Sequence, residues 1–293
     1  MHCPIWAPPV GTAEVLHLLP SGSMITIRSN TVPPKHISSK DNAIYKRIRL
    51  ALRDNTSYRG NQLVWFEGEH LCKAAVEHGL RFKELVLLDT KLETEAFNWL
   101  DHTDQLLTMT APLMKGLSQL PSSSWLLASI ERVETIRPDP LQSVVVLDQI
   151  QDPGNAGSIL RCAAAFGFNQ IVTTPGTVSI WSQKVVRAAM GSHFGLNLFE
   201  SVQVEDVLAF GLPVLVTDVH QGTFLHERTG QSSLPWPCAW VFGHEGHGIS
   251  EGWMANNAQR IRIVQPGGQE SLNVAAAAAI CLHASVVERI EKF

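Results

Sequence analysis

Five side chains in the second half of this 293-residue chain are of types that grip or orient a ligand: Asn155, Arg161, Glu245, Ser271 and Asn273. Arg161 offers a permanently charged donor fork that suits an anion such as a phosphate; a surface ion pair is the competing use. Glu245 sits in Gly243-His-Glu-Gly-His-Gly248, where the glycines forbid a continuous helix. A zinc-binding HExxH helix needs its histidines four residues apart, and His244 and His247 are three apart, so no metal is expected. Gly267 and Gly268 would let the backbone lie flush against a ligand. Ser271 reads as a helix cap, and Asn273 puts an amide in the first turn. None of the glycine clusters matches the Walker pattern or GxGxxG, which removes simple NTPase and dinucleotide chemistry.

Each of these residues follows a short apolar run that reads as a strand. Val144 to Leu147 precedes Pro153-Gly-Asn155 and a helix from Ala156 to Phe166, with Ile159, Ala163 and Phe166 on its buried face and Asn155 able to cap it. Arg161 lies two positions past Ile159, about 200° around the helix, so it faces away from that core. A strand at Ala239 to Gly243 leads into the Glu245 turn, and one at Arg260 to Ile263 into the Gly267 loop and a helix from near Ser271. Further strands are expected at Gln170 to Thr173, Leu196 to Phe199 and Pro213 to Asp218, with a helix over Ser182 to Met190. Ligands of open α/β sheets bind beyond the carboxyl ends of the strands, where these loops lie. Ala275 to Ala279 makes the last helix slim, which matters where something packs unusually close; an ordinary small-residue packing face is the plainer account.

The first half also alternates strands and helices, from Gln62 to Glu131. Ser38 or Ser39 would cap a preceding helix with Ile44, Ile48 and Leu52 on one face. Residues 132–142, polar and holding Pro138 and Pro140, read as a linker. The expected plan is a disordered leader over 1–35, a small α/β domain over 36–131, the linker and a second α/β domain over 143–293. Residues 1–22 are rich in proline and small residues without helical or strand period and lack the build of a signal peptide, so a start at Met24 is the alternative to a leader.

With 45% hydrophobic and 17% charged residues the chain can bury a real core, and no apolar run approaches the ~20 residues of a membrane helix. Five cysteines scattered singly suit buried thiols in a reducing cytoplasm. A net charge of -4 argues against non-specific coating of nucleic acid, yet Arg28 to Arg59 holds eight basic residues against two acids. That stretch is either a phosphate-facing patch or a solvated helix face.

Asn155-x-Gly157-x-x-x-Arg161, Gly243-x-Glu245-x-x-Gly248-Ile249 and Ile263-x-x-x-Gly267-x-x-x-Ser271-Leu272-Asn273-Val274 resemble the three ordered motifs of the SpoU/TrmH RNA ribose 2′-O-methyltransferases, of the trefoil-knotted SPOUT class. The resemblance covers Val144 to the C-terminus. Val264 and Gln265 replace the usual Pro-Met after Ile263, and Ser179 stands where Asp is common. The first half is more loosely similar, through Ser39-x-x-Asn42, Arg59 and Phe66-Glu67-Gly68, to the small RNA-binding domain that many members carry.

The resemblance implies a mainly parallel sheet with helices on both faces and a deep C-terminal trefoil knot, through which the slim alanine helix would pass. It implies a homodimer that binds S-adenosylmethionine at Thr217, Gly243, Ile263, Gly267 and Leu272. Arg161 would be the catalytic arginine, as a base or as a phosphate clamp, with Asn155, Glu245, Ser271 and Asn273 orienting it and the ribose. Lys40, Arg47 and Arg59 are the candidate RNA contacts. The implied substrate is structured RNA, ribosomal RNA ahead of transfer RNA; a non-catalytic RNA-binding protein that keeps the fold is the reading from another class.

Overall fold

Two β-sheets share the chain, one on each side of residues 132–142, and a separate hairpin precedes them. The computed structural model describes residues 14–18, 24–28, 34–120, 122, 124–132, 137–227, 233–254, 257–267 and 271–290. Strands β1 (Glu14–Leu18) and β2 (Met24–Arg28) form the hairpin, with Glu14 opposite Arg28. This corrects the expectation of a segment without strand structure. Backbone pairing needs only β-favouring residues such as Ile25, Thr26 and Ile27, over strands of five residues each. The other residues of the expected leader before Pro34 lie outside the described residues.

The first sheet is built from β3 (Lys35–Ile37), α1 (Ala43–Arg53), α2 (Tyr58–Asn61), β4 (Leu63–Glu67), α3 (Glu69–Glu77), β5 (Phe82–Leu88), α4 (Leu92–Glu95), β6 (Leu106–Met109), α5 (Ala111–Leu117) and β7 (Leu126–Glu131). Its strand order is β3-β6-β5-β7-β4, parallel across β3, β6 and β5 and antiparallel across β7 and β4. Alternation splits β5 between two cores: Leu85 and Leu87 on one face, Val86 on the other. Asn42, not Ser38 or Ser39, caps α1, its Oδ1 accepting from the Ile44 amide at 2.9 Å.

The second sheet is built from β8 (Val144–Asp148), α6 (Pro153–Ala165), β9 (Gln170–Thr173), α7 (Gln183–Ala188), β10 (Asn197–Phe199), α8 (Val204–Leu208), β11 (Val214–Thr217), β12 (Thr223–Phe224), β13 (Ala239–Gly243), α9 (Glu251–Met254), β14 (Gln259–Arg262) and α10 (Val274–Ile290). Its order is β10-β9-β8-β13-β11-β14-β12, with all pairs parallel. Both faces are covered, so the strands read as unbroken apolar runs. Val145 and Leu147 join the core beneath α6 and α10; Val144 and Val146 join the one beneath α8 and α9.

Two features of this sheet place the loops beyond its carboxyl ends. The strand order turns at β8, with β9 on one side and β13 on the other, which makes a switch-point crevice between their carboxyl ends. And β14 is inserted between β11 and β12, although the chain makes β12 directly after β11. The connection over 218–222 therefore spans β14, so closely that a Cβ on Gly222 (φ +113°) would lie 2.2 Å from the Arg260 carbonyl oxygen.

The two halves meet along one seam. Val186 of α7 lies in the core of the first sheet, and the Phe66 and Phe194 rings stand 5.4 Å apart. Buried carboxylates clasp the seam from both sides. Glu67 accepts from Ser118 Oγ (2.8 Å), the Gln119 amide (3.2 Å) and Arg187 (3.4 Å). Glu200 accepts from the Tyr58 hydroxyl and pairs with Arg132 (3.3 Å) and Arg59 (3.5 Å). No helix among the described residues is long and apolar enough to cross a membrane. Cys72, Cys238 and Cys281 are buried thiols, burial pushing the last two up to about 12; Cys3 lies outside the described residues.

Candidate active site

Three loops meet beyond the carboxyl ends of β8, β13 and β14, and their polar side chains join in one chain of hydrogen bonds. Asn273 Nδ2 donates to Asn155 Oδ1 at 2.9 Å, and Asn155 Nδ2 donates to Glu245 Oε1 at 2.9 Å. The same carboxylate accepts from the amides of Gln151 (3.3 Å) and Asp152 (3.2 Å). Asn155 and Asn273, 118 positions apart, are thereby fixed to one another.

Local chemistry explains each placement. Asp152, rather than Asn155, caps α6, its Oδ1 accepting from the Asn155 amide at 2.8 Å. That puts Asn155 inside the first turn and frees its side chain to face Glu245. Asn273, rather than Ser271, caps α10, since its Oδ1 accepts from Ala275 (2.9 Å) and Ala276 (3.2 Å). Its other amide group remains for Asn155. A carboxamide can accept at one end and donate at the other, which a serine hydroxyl cannot do over the same span. Ser271 itself is exposed, two residues outside the cap.

The Glu245 turn is closed by paired backbone bonds between His244 and Gly248, 2.8 and 2.9 Å. It folds back so tightly on β13 that a Cβ on Gly243 would lie 2.4 Å from the Gly248 carbonyl. Burial works to raise the Glu245 pKa, but hydrogen bonds from Asn155, from the turn's own backbone and from Gln151 and Asp152 outweigh it. The carboxyl is held below its ordinary value, so Glu245 is an acceptor-only anion at neutral pH.

Arg161 projects from the exposed side of α6, six residues or ~9 Å along the helix from Asn155. Among the described residues it has no hydrogen-bond or ion-pair partner. Gly157 sets the helix in place: a Cβ there would lie 2.4 Å from Ala188 Cβ, so α6 and α7 cross at a distance that only glycine allows.

Of the expected cofactor contacts, Thr217 ends β11 opposite Ile261, Gly243 ends β13 opposite Asp148, and Ile263 follows β14 directly. These strands are neighbours, so the three positions line one edge. Gly267 is exposed, with open space where a Cβ would project. Val219 and Val264, two and one residues past that edge, and Leu272 ahead of α10 are apolar side chains that expose 39%, 47% and 37% of their surface. Gly268 lies outside the described residues.

The RNA candidates of the first half divide. Lys40 is exposed in the turn ahead of α1. Arg47 is engaged by both carboxylate oxygens of Glu84, and Arg59 leans over the Tyr58 ring beside Glu200.

Two contributors escape sequence reasoning. Asp148, 1% exposed, accepts from Thr174 Oγ1 (2.9 Å) and the Ser250 amide (2.7 Å), tying the end of β8 to the far end of the Glu245 turn. An acid closing a run of four apolar residues was its signal. Gln149 adopts φ 58°, its amide held by Thr174 and Thr177 hydroxyls at 3.1 Å each, a strained conformation that only tertiary contacts sustain. Among the described residues no His, Cys, Asp and Glu cluster is fit to hold a metal ion.

Residues 142–283 match the family described as SpoU rRNA Methylase. The chain is 28% identical over 224 residues to 23S rRNA (guanosine(2553)-2'-O)-methyltransferase RlmP of Bacillus subtilis, covering 74% of this chain and 86% of that protein. It is 35% identical over 130 residues to the mitochondrial rRNA methyltransferase 3 of Xenopus tropicalis, spanning 43% of this chain and only 28% of that longer relative. The AdoMet-bound rRNA methyltransferase of Sinorhizobium meliloti superposes with a TM-score of 0.74 at 26% identity, over 87% of this chain and 98% of its own.

Proposed function

We propose, from the match of residues 142–283 to the SpoU rRNA Methylase family, that the chain transfers a methyl group from S-adenosylmethionine to a ribose 2′-hydroxyl of structured RNA, with ribosomal RNA as the substrate. The observation that carries this reading is the Asn273–Asn155–Glu245 chain, set beside an arginine without a partner among the described residues, at the switch point of a parallel sheet.

The cofactor supplies a methyl already electrophilic on its sulfonium, so the protein's task is orientation and help with the hydroxyl proton. Thr217, Gly243, Ile263, Gly267 and Leu272 would hold the cofactor. Arg161 cannot serve as a base, because a guanidinium does not deprotonate in proteins. It grips the phosphate next to the target ribose and polarises the 2′-hydroxyl. Asn155, fixed at both ends of its amide, keeps the loop ahead of α6 in register with the Glu245 turn and the start of α10. Ser271 completes the wall on the α10 side.

The 218–222 connection spanning β14 supports a knotted C-terminal end, with the small side chains Ala275 and Ala278 packed in the core beneath α6. A homodimer is supported by Ile280, His283, Val287 and Ile290, a stripe at helical spacing that α10 leaves exposed. The first sheet serves as the RNA-binding domain, led by Lys40. The test is transfer of labelled methyl groups to total RNA, with 2′-O-methyl positions mapped with and without the protein. A new ribosomal RNA position is expected, and absence of any new 2′-O-methyl group overturns the reading.

A further inference from the structure

The turn that carries Glu245 is held from inside by an imidazole. His244 Nδ1 lies 2.9 Å from the Gly246 amide and 3.3 Å from the His247 amide. Amides only donate, so Nδ1 presents a lone pair and the neutral ring carries its proton on Nε2. A proton on Nδ1 would set N–H against two N–H groups and remove both bonds. The His247 ring stands beside this imidazole, centroids 4.6 Å apart. Charged residues on or next to the turn include Glu245, Asp148, whose carboxylate accepts from the Ser250 amide, Asp152, whose backbone amide donates to Glu245, and Glu251 at the start of α9.

The same closure occurs in this protein with a short side chain. Asp218 Oδ1 accepts from the amides two and three residues on, His220 at 2.7 Å and Gln221 at 2.9 Å. An oxygen on a short side chain can therefore replace the imidazole nitrogen without being lost to protonation in the imidazole range.

We propose that His244 is a positioning residue whose neutral imidazole fixes the turn that aims Glu245 at Asn155, making the alignment of the site sensitive to pH. Protonation of Nδ1 removes both bonds, opens the turn, slackens the Glu245–Asn155–Asn273 chain, and lowers transfer as pH falls through the titration of that ring. The Glu245 carboxyl is held below its ordinary value, so its anion persists to lower pH than that of a free carboxylate. This inference rests on the site read above, so its first test needs no catalysis.

The full-length protein, labelled with ¹⁵N and free of cofactor and RNA, is titrated while the side-chain amides of Asn155 and Asn273 and the His244 ring are followed by NMR. The amide signals are expected to move in step with the His244 ring in wild type and in His247→Asn, and to show no step across the same pH interval in His244→Asn. Amide signals that stay still while the ring titrates would overturn the proposal, as would a step that persists in His244→Asn. The wild-type titration decides even where a variant does not fold. In the second arm, wild-type methyl transfer falls about tenfold across the pH interval in which the NMR titration finds the His244 ring protonating, and His244→Asn gives a flat profile there, whatever its absolute rate; an unchanged acid limb in His244→Asn counts against the proposal. No transfer by the wild type would sink the proposed function, and the NMR arm would still decide the role of His244.

Discussion

Arginines around the two sheets are put to opposite uses. Arg47 and Arg59 of the first sheet meet Glu84 and Glu200, Arg260 of the second meets Asp218, and Arg187 reaches across the seam to Glu67. Arg161 of the second sheet meets no carboxylate among the described residues. A guanidinium matched to a buried carboxylate is part of the fold, and drawing it away leaves a charge uncompensated. One left in water keeps its donor fork for an incoming anion. The side-chain amides differ as well: Asn42 caps a helix with its oxygen, whereas Asn273 caps one with its oxygen and also reaches Asn155 with its nitrogen.

This contrast can be broken most severely at Arg161. Arg161→Ala is expected to lower single-turnover methyl transfer by about 10³, while calorimetric affinity for S-adenosylmethionine stays within about twofold. A fall below tenfold would return Arg161 to the class of surface charges. Next comes the seam. Glu200→Ala removes the carboxylate that Arg132, Arg59 and Tyr58 share, and should lower the unfolding free energy by about 3 kcal/mol in urea titrations. A loss under ~1 kcal/mol would mean that these arginines are as available as Arg161.

A smaller effect tests the same carboxylate by pH. Burial first, and the Glu200 carboxylate second, push the Tyr58 hydroxyl up to about 12 from an ordinary 10.0. With the folded value raised, the stability it contributes is complete below about 10 and is lost as pH climbs towards about 12. Denaturation midpoints at pH ~9 and ~11 should therefore diverge less in Tyr58→Phe than in wild type. The smallest effect is expected at Lys40, where Lys40→Ala should weaken RNA binding two- to threefold and lower the salt slope by about one counterion. A larger loss from Arg47→Ala than from Lys40→Ala would reverse the division drawn for the first sheet.

Much of the second half is legible from the chain alone. The run Val144-Val-Val-Leu could only be a strand covered on both faces, and Arg161 follows as the outward residue of its helix. Caps are less legible. Asn42, Asp152 and Asn273 each displace the residue expected from the sequence, because each stretch offers two or three side chains able to cap, and which one does depends on where the chain arrives from. The hairpin at Glu14 to Arg28 escapes notice because its strands are only five residues long, a short signal beside the prolines around them. The basic stretch of the first half is plain in the sequence, but its partners lie far along the chain, at Glu84 and Glu200.

Periodicity, glycines and capping side chains act over a few residues, so which elements form, and which residue types stand at their ends, is already written in the order of the amino acids. Which of those side chains meet is settled elsewhere, in the assembled sheets. Assembly laid β13 and β14 beside β8 and β11, brought Asn273 to Asn155 and Asn155 to Glu245, and left Arg161 without a carboxylate among the described residues while Arg59 received one. Hydrogen bonds and ion pairs act over about 3 Å of space and are indifferent to separation along the chain, so these choices are made only when the sheets come together.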